Sequence, residues 1–173
     1  LETNTDWQKL AFDVLVLATG TRYPRFPLAK PKDDVTLELR QESMLEETRR
    51  FQSAKSYLIV GGGLVGVELA GEIAAAAPGK PVRLAHRGNR LVEGLSPKAS
   101  GEALSQLLAL GVTVQLNTAD AKPREGELYF ITTTPESSTD FLASVQPEVL
   151  DDKGRILVNE GLQVKGHPDW YAI

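Results

Sequence analysis

The feature that most constrains this chain is a glycine-rich turn inside YLIVGGGLVGVELAGEIAAAA, which runs from Tyr57 to Ala77. The turn follows a strand-like apolar run, opens a helical pattern and has the spacing Gly61-x-Gly63-x-x-Gly66. Gly61 permits a tight bend, Gly63 lets the backbone approach a pyrophosphate, and Gly66 lets helix and strand pack closely. The turn therefore predicts a dinucleotide diphosphate at a helix N-terminus.

The alternative is a glycine turn that only reverses the chain. A triphosphate-binding loop is excluded, since no lysine–serine pair follows the glycines. The order strand, turn, helix and second strand favours the dinucleotide site over the purely structural turn.

The elements around this turn predict the fold class. Strands are predicted at Asp13–Gly20, Tyr57–Val60, Val82–His86, Val112–Leu116 and Leu128–Thr134, and weaker ones at Arg155–Glu160 and the terminal WYAI. Helices are predicted at Gly63–Ala77, with Val65, Leu69, Ile73 and Ala76 on one face, and on the surface at Thr36–Arg50. A further helix is predicted at about Pro97–Leu110, with Ser96 as its cap, Pro97 at its first position and Gly111 just past its end. Its apolar set is Ala99, Ala103, Leu104, Leu107 and Leu108. The alternation indicates an α/β fold, a Rossmann-like doubly wound parallel sheet with helices on both faces.

Composition excludes several function classes. The net charge is −4, from 19 basic and 23 acidic side chains, with no concentrated basic face, so nucleic-acid binding is not expected. The 173 residues include no cysteine, and neither His86 nor His167 has metal-ligand spacing, so no metal site is expected. No apolar run approaches the ~20 residues of a transmembrane helix.

The end of the second strand of the motif bears on the choice of nucleotide. An acid is expected there to hold the ribose 2′-hydroxyl of NAD, but His86 takes that position and is followed by Arg87 and Arg90. No carboxylate is evident that would repel a 2′-phosphate, and two guanidiniums can pair with one, so the sequence permits NADP. Solvated surface arginines are the equally weighted alternative.

Glu68 is a carboxylate early in the helix that follows the turn. It is either a partner of the helix dipole or a group directed at the nicotinamide end of the cofactor. The residue types alone leave both interpretations open.

Four stretches in order resemble the pyridine-nucleotide-dependent flavoprotein oxidoreductases with two dinucleotide-binding domains: FDVLVLATGTRYPRFP, SAKSYLIVGGGLVGVELAGEIA, VRLAHRGNRLVEGLSPKAS and GRILVNEGLQVKGHPDWYAI. Within this superfamily, the segment LSPKAS most resembles the apoptosis-inducing-factor-like and ferroptosis-suppressor-like branch, which is related to type II NADH dehydrogenases. The resemblance covers nearly the whole chain.

The resemblance implies a domain organisation and two cofactors. Residues 1–30 would be a stub of the FAD domain with the crossover, residues 31–150 the NAD(P)H-binding domain, and residues 151–173 a truncated return to the FAD domain. FAD would be held mostly by residues outside this chain. In the full-length protein, hydride would pass from NAD(P)H to the flavin and then to an acceptor, expected to be quinone-like.

Site residues follow from the same resemblance. The pyrophosphate loop comprises Gly61, Gly62, Gly63, Leu64, Val65 and Gly66. Glu68 matches the glutamate near the nicotinamide and is the expected catalytic residue. His86 and Arg87, with Arg90 nearby, match the adenosine-ribose position, and Ala18, Thr19 and Gly20 match the crossover motif.

Two stretches depart from the family pattern. Ile131–Ala143 lacks the glycine usual in a second crossover turn, so a turn that needs positive φ would be strained there. The segment between Leu116 and Leu128 is short for the three-stranded meander common at that place.

Three functions therefore stay open. The leading one is the NAD(P)H-binding domain of a flavin-dependent oxidoreductase, expected to be inactive as a fragment. The others are the equivalent domain of a disulfide reductase, whose cysteines would lie outside this chain, and a non-catalytic NAD(P)H-sensing or interaction module. We expect a cytoplasmic protein; peripheral attachment of the full-length protein to a membrane and a dimeric state both stay open.

Overall fold

The computed structural model describes residues 9–23, 36–133 and 135–173. In chain order the elements are β1 (Leu15–Leu17), β2 (Thr21–Arg22), α1 (Leu37–Ser53), β3 (Ser56–Val60), α2 (Leu64–Ala76), β4 (Val82–Ala85), α3 (Pro97–Ala109), β5 (Thr113–Gln115), β6 (Glu127–Ile131), β7 (Glu136–Ser137), α4 (Asp140–Ala143), a 3₁₀ turn (Pro147–Val149) and β8 (Trp170–Ala172). The chain divides into two compact units: a central unit, Tyr23–Thr134, and a flanking unit, Leu1–Arg22 with Pro135–Ile173.

The central unit is built on a four-stranded parallel sheet in the order β5-β4-β3-β6. The helices α2 and α3 connect successive parallel strands and contact each other. Tyr57, Leu58 and Ile59 of β3 are completely buried, as the middle of a covered parallel sheet requires. This confirms the predicted α/β class with a parallel sheet of Rossmann type.

The predicted face of α2 is confirmed at Ile73, which is buried, and at Leu69, which packs against the core, but is wrong at its other two positions. Val65 is half-exposed, and Ala76 also faces outwards. The buried positions in and just after the helix are Gly66, Ala70, Ile73 and Ala77. Apolar side chains of α2 lie on most sides of the helix, so their periodicity does not determine which side packs on the sheet. The close fit of Gly66 against the preceding turn determines it instead.

The helix α3 has the start and end signals expected of it. The Ser96 hydroxyl accepts a hydrogen bond from the Ala99 N–H at 3.2 Å, Pro97 occupies the first turn, and Gly111 adopts a φ of +79° beyond the end. Leu107 is buried, but Leu108, predicted on the same apolar face, is 55% exposed.

The surface helix α1 runs further than predicted, to Ser53, and has no buried residue. It joins the core through its last turn, where Phe51 packs on the Tyr57 ring and its carbonyl oxygen accepts the Tyr57 hydroxyl at 2.7 Å. Among the helices that the structure describes, none has the length and apolarity needed to cross a bilayer.

The flanking unit contains two short strand pairs. The strands β1 and β8 pair in parallel, and β2 pairs with β7 antiparallel. The core consists of Leu17, Leu142, Val149, Val164 and Ala172. The strand predicted at Arg155–Glu160 was wrong, because only isolated bridges at Ile156 and Val158 are present. The strand predicted at Asp13–Gly20 is confined to its middle.

A buried ion pair joins two strands of the central sheet. The Arg83 guanidinium donates two hydrogen bonds to the Glu127 carboxylate, from Nε to Oε1 at 2.8 Å and from Nη2 to Oε2 at 2.6 Å. The side chains of Glu127 and Arg83 are 1% and 12% exposed. The hydrogen bond from Arg83, together with the Arg124 N–H, lowers the pKa of Glu127 although burial opposes the shift. The pair is therefore charged at neutral pH.

Replacing Glu127 by glutamine is expected to lower the free energy of unfolding by about 3 kcal/mol, because it leaves the Arg83 guanidinium buried without a counter-charge. The control is Glu47→Gln, which removes the surface pair with Arg50 and should cost less than about 1 kcal/mol. Urea denaturation at neutral pH measures both, and equal losses would contradict the account.

The contribution of Glu127 to the stability of the fold depends on pH. The folded-state pKa of Glu127 is depressed, so its contribution is present above the unfolded carboxylate pKa of about 4.3 and is lost as the pH falls through the lower folded value. The stability difference between wild type and Glu127→Gln should accordingly shrink on acidification.

Candidate functional site

The glycine turn after β3 is held by a hydrogen bond to the next strand and by close packing against the start of α2. Gly61 has a φ of +121°, which favours glycine, and its N–H donates to the Ala85 carbonyl at 2.9 Å. A Cβ at Gly66 would stand 1.8 Å from the Gly61 carbonyl oxygen. Gly66 is therefore required because α2 begins directly against the turn that precedes it.

Gly63 has free space where a side chain would be, whereas a Cβ at the neighbouring glycines of the turn would overlap other atoms. A Cβ built there would meet no atom within 4 Å, and the residue is the N-cap of α2 with no side chain capping it. The N–H groups at the start of a helix have no intrahelical partner and carry its positive dipole end. No acidic residue lies in the first turn of α2, so the exposed backbone fits a diphosphate.

His86 is attached to this turn rather than free in a loop. The Gly62 N–H donates to its Nδ1 at 3.1 Å, and a Cβ at Gly62 would lie 2.7 Å from the His86 Cγ. Since Nδ1 accepts, the proton of the neutral ring is on Nε2. The Nε2 atom is buried, and no described residue forms a hydrogen bond with it.

Thr132 is a residue of the site that the sequence reasoning missed. Its hydroxyl lies 3.2 Å from both the Val60 and the Gly61 carbonyl oxygens, and its N–H donates to Val60 at 2.9 Å. It follows β6, which pairs with β3, so it lands beside the turn. The positive φ considered for the glycine-free stretch is absent from residues 131–133 and 135–143, the part of that stretch that the structure describes.

The two arginines predicted at the adenosine-ribose position differ in their surroundings. Arg87 is exposed and lines a cavity of about 240 Å³ with the glycine turn, Thr118 and Thr132. Arg90 instead folds back, and its guanidinium donates to the Leu95 carbonyl at 2.9 Å and to that of Glu93. Arg90 is therefore engaged in holding the loop.

The expectation that no carboxylate lies at this position was wrong. Glu93 approaches His86, with its Oε1 3.7 Å from Nε2. Both residues line a cavity of about 390 Å³ on another side of the turn, together with Gly62, Gly63 and Leu64. The acid is seven residues after His86 in the printed sequence, so strand-end spacing gives no signal for it.

The remaining predicted residues divide between the units. Glu68 is exposed in the second turn of α2, beyond the first turn where a helix dipole acts most strongly, so the dipole interpretation is the weaker one. Ala18, Thr19 and Gly20 follow β1 in the flanking unit, where Thr19 and Gly20 line a cavity of about 400 Å³. All the other predicted site residues belong to the central unit.

A parallel sheet whose central strand ends in an open glycine turn at a helix N-terminus defines a dinucleotide-binding α/β protein. Comparison with known proteins extends this. The sequence model of the family described as "Pyridine nucleotide-disulphide oxidoreductase" matches residues 1–173. The chain belongs to this family.

Individual relatives agree. The FAD-dependent oxidoreductase FVFD30 of Flammulina velutipes is 29% identical over 185 residues, which cover 96% of this chain and 55% of that protein. Ferroptosis suppressor protein 1 of Xenopus tropicalis is 29% identical over 196 residues, covering 100% of this chain and 51% of that protein. The chain thus spans about half the length of these relatives.

A solved structure shows the same fold. The water-forming NADH oxidase from Lactobacillus brevis, bound to NADH, superposes with a TM-score of 0.66 at 19% identity, covering 98% of this chain and 40% of that one. The expected family is confirmed, and the predicted cofactors, FAD and NAD(P)H, are those of its oxidoreductases.

Alanine at Gly66 is expected to destabilise the fold by about 2 kcal/mol, because the new methyl group must displace the Gly61 backbone. Alanine at Gly63 should leave the free energy of unfolding within about 0.5 kcal/mol of wild type, since its φ of −75° is ordinary and its surroundings are open. Thermal and urea unfolding measure both, and similar values for the two variants would contradict this geometry.

Proposed function

We propose that this chain is the NAD(P)H-binding part of a flavin-dependent oxidoreductase. The observation that carries the proposal is the open backbone at Gly63 beside the closed Gly61–Gly66 contact. This combination leaves the first N–H groups of α2 pointing into space that a diphosphate fits.

Different residues around the turn bind different parts of the nucleotide. The N–H groups of Gly63, Leu64 and Val65 hold the diphosphate, and both apolar side chains are at least half-exposed there. His86 and Arg87, at the end of β4, face the adenosine ribose. Bound NAD(P)H supplies a hydride for the flavin, and the protein contributes orientation and electrostatics.

The whole protein is proposed to combine this chain with a flavin domain. The NAD(P)H-binding domain, expected at residues 31–150, is built on the central unit, while residues 1–30 and 151–173 lead into and out of a FAD domain whose flavin-binding residues lie mostly outside this chain. Ala18, Thr19 and Gly20 belong to the crossover. An acceptor of quinone type is the one that the resemblance to the ferroptosis-suppressor-like branch implies, and peripheral membrane attachment would suit it.

A non-catalytic NAD(P)H-binding module is the second candidate. The stretch Ile131–Ala143, which lacks the glycine usual in the second crossover turn of the family, is the feature that favours it. The candidates differ in the full-length protein: bound flavin that bleaches on addition of NADH supports the oxidoreductase, and flavin that stays oxidised supports the module. A disulfide reductase would need cysteines outside this chain, which has none.

Titration of this chain with NADH and NADPH tests nucleotide binding. At a concentration of 100 Kd, a nucleotide stabilises the fold by about 2.7 kcal/mol, which appears as a higher melting temperature. Gly63→Val should abolish this stabilisation, because its side chain occupies the space above the helix N-terminus. Gly101→Val is the matched control: Gly101 in α3 is equally open and lies outside the turn.

Stabilisation of wild type and of Gly101→Val, lost in Gly63→Val, is the expected result. A wild-type chain that responds to neither nucleotide in calorimetry and melting would contradict the proposed function. A response that survives in Gly63→Val would contradict the assignment of the diphosphate to this turn.

We expect Glu68 to act at the nicotinamide end of the bound nucleotide. In the full-length flavoprotein, Glu68→Gln should slow flavin reduction by NADH about tenfold, a barrier increase of about 1.4 kcal/mol, because the carboxylate no longer orients the reacting ring. Stopped-flow absorbance measures the rate. Glu72→Gln, one helical turn further along α2, is the control, and equal rates in the two variants would remove Glu68 from the site.

A further inference from the structure

The loop that follows β4 is fastened to the glycine turn at defined points. The Val92 N–H donates to the Gly62 carbonyl at 2.7 Å, and Val92 holds a left-handed φ of 44° to reach it. The Arg90 guanidinium caps the carbonyls of Glu93 and Leu95. Because both ends of the segment are bonded, the position of Glu93 is set by the fold rather than by a mobile loop.

This loop places an acid and a base side by side. The Glu93 carboxylate lies over Gly88, where any Cβ would overlap it, and its Oε1 is 3.7 Å from the His86 Nε2. The Glu93 side chain is 53% exposed, whereas that of His86 is 13% exposed. The buried Nε2 has no hydrogen-bond partner among the described residues.

The chemistry of the pair matches a hydroxyl and mismatches a phosphate. With Nδ1 engaged by the Gly62 N–H, the neutral His86 offers Nε2–H as a donor, and Glu93 offers a carboxylate that only accepts. A ribose hydroxyl can donate to the half-exposed carboxylate, while the buried Nε2–H lies 3.7 Å from its Oε1. A phosphate ester has no proton for Glu93 near neutral pH and carries the same sign of charge.

The location fits the ribose end of a dinucleotide. His86 follows the glycine motif by about 20 residues, the separation at which dinucleotide-binding folds place the acid that bonds the ribose 2′-hydroxyl. Here that position has a histidine whose Nδ1 is already committed to the turn. The pair shares a cavity of about 390 Å³ with Gly62 and Gly63.

We propose that Glu93 is the specificity-determining residue that selects NADH over NADPH. Its carboxylate, delivered by the β4–α3 loop, substitutes for the acid missing from the strand end. This inference rests on the proposed function, since it assigns the ribose end of the same nucleotide site.

The arginines do not reverse this preference. Arg90 already bonds two carbonyl oxygens of its own loop, so moving it to a phosphate would release the segment that carries Glu93. Arg87 is exposed and lines the cavity of about 240 Å³, which Glu93 does not line. A 2′-phosphate at this position would face the Glu93 carboxylate directly, which is the repulsive element that specificity requires.

The test is a calorimetric titration of this chain and three variants with NADH and with NADPH. The wild-type chain should bind NADH at least about tenfold more tightly than NADPH. Glu93→Gln keeps the shape but removes the charge, and should bring the two dissociation constants within about threefold. Glu93→Arg should reverse the order, because a guanidinium pairs with phosphate.

The third variant, Glu102→Gln, is the matched control. It removes one negative charge from α3, where Glu102 accepts a hydrogen bond from the Gln106 side chain at 2.9 Å, and should preserve the wild-type ratio. The ratio of two nucleotides on one protein is insensitive to a general loss of folded chain, so a structural effect of any variant does not mimic the predicted change.

The outcomes separate this inference from the proposed function. Binding of NADH and NADPH with equal affinity by the wild type, or an NADH preference unchanged in Glu93→Gln, overturns the role of Glu93 and leaves the nucleotide site standing. An equal change in Glu102→Gln also overturns it, since net charge would then be the cause. Failure of both nucleotides to bind overturns the site and this inference together.

Discussion

The central unit depends on the contact between the start of α2 and the end of β3, where Gly66 leaves no room for any side chain above the Gly61 carbonyl oxygen. This contact sets which side of α2 packs on the sheet and brings the helix N-terminus to the edge where the parallel strands end. The turn is then held by Ala85, His86 and Thr132. The Gly63 side stays open among the described residues, so a ligand meets backbone N–H groups there.

Rigidity and chemistry come from the same hydrogen bonds. The bond that holds Gly62 to His86 also fixes which imidazole nitrogen carries the proton. The bond from Val92 to Gly62 holds the turn and also positions Glu93 beside His86. A substitution in this loop therefore affects both the shape of the turn and the polar groups that line its cavity.

Sequence reasoning was strongest where local rules apply. The glycine spacing, the order of strands and helices along the chain, and the caps at Ser96 and Gly111 are local signals, and the structure and the family agree with them. It did not identify correctly which side of α2 is buried, because in a mostly apolar helix the hydrophobic residues do not mark one side. It also missed Thr132 and Glu93, since strand pairing and a folded loop bring them to the turn from distant places in the sequence.

The central claim is that the N–H groups at the open start of α2 bind the nucleotide diphosphate. A ¹H–¹⁵N correlation spectrum of the labelled chain, recorded during titration with NADH, tests this at the backbone itself. The account predicts the largest amide shifts at Gly63, Leu64 and Val65, in proportion to the bound fraction. Shifts concentrated instead in the flanking unit, around residues 157–168, with an unchanged glycine turn, would contradict it.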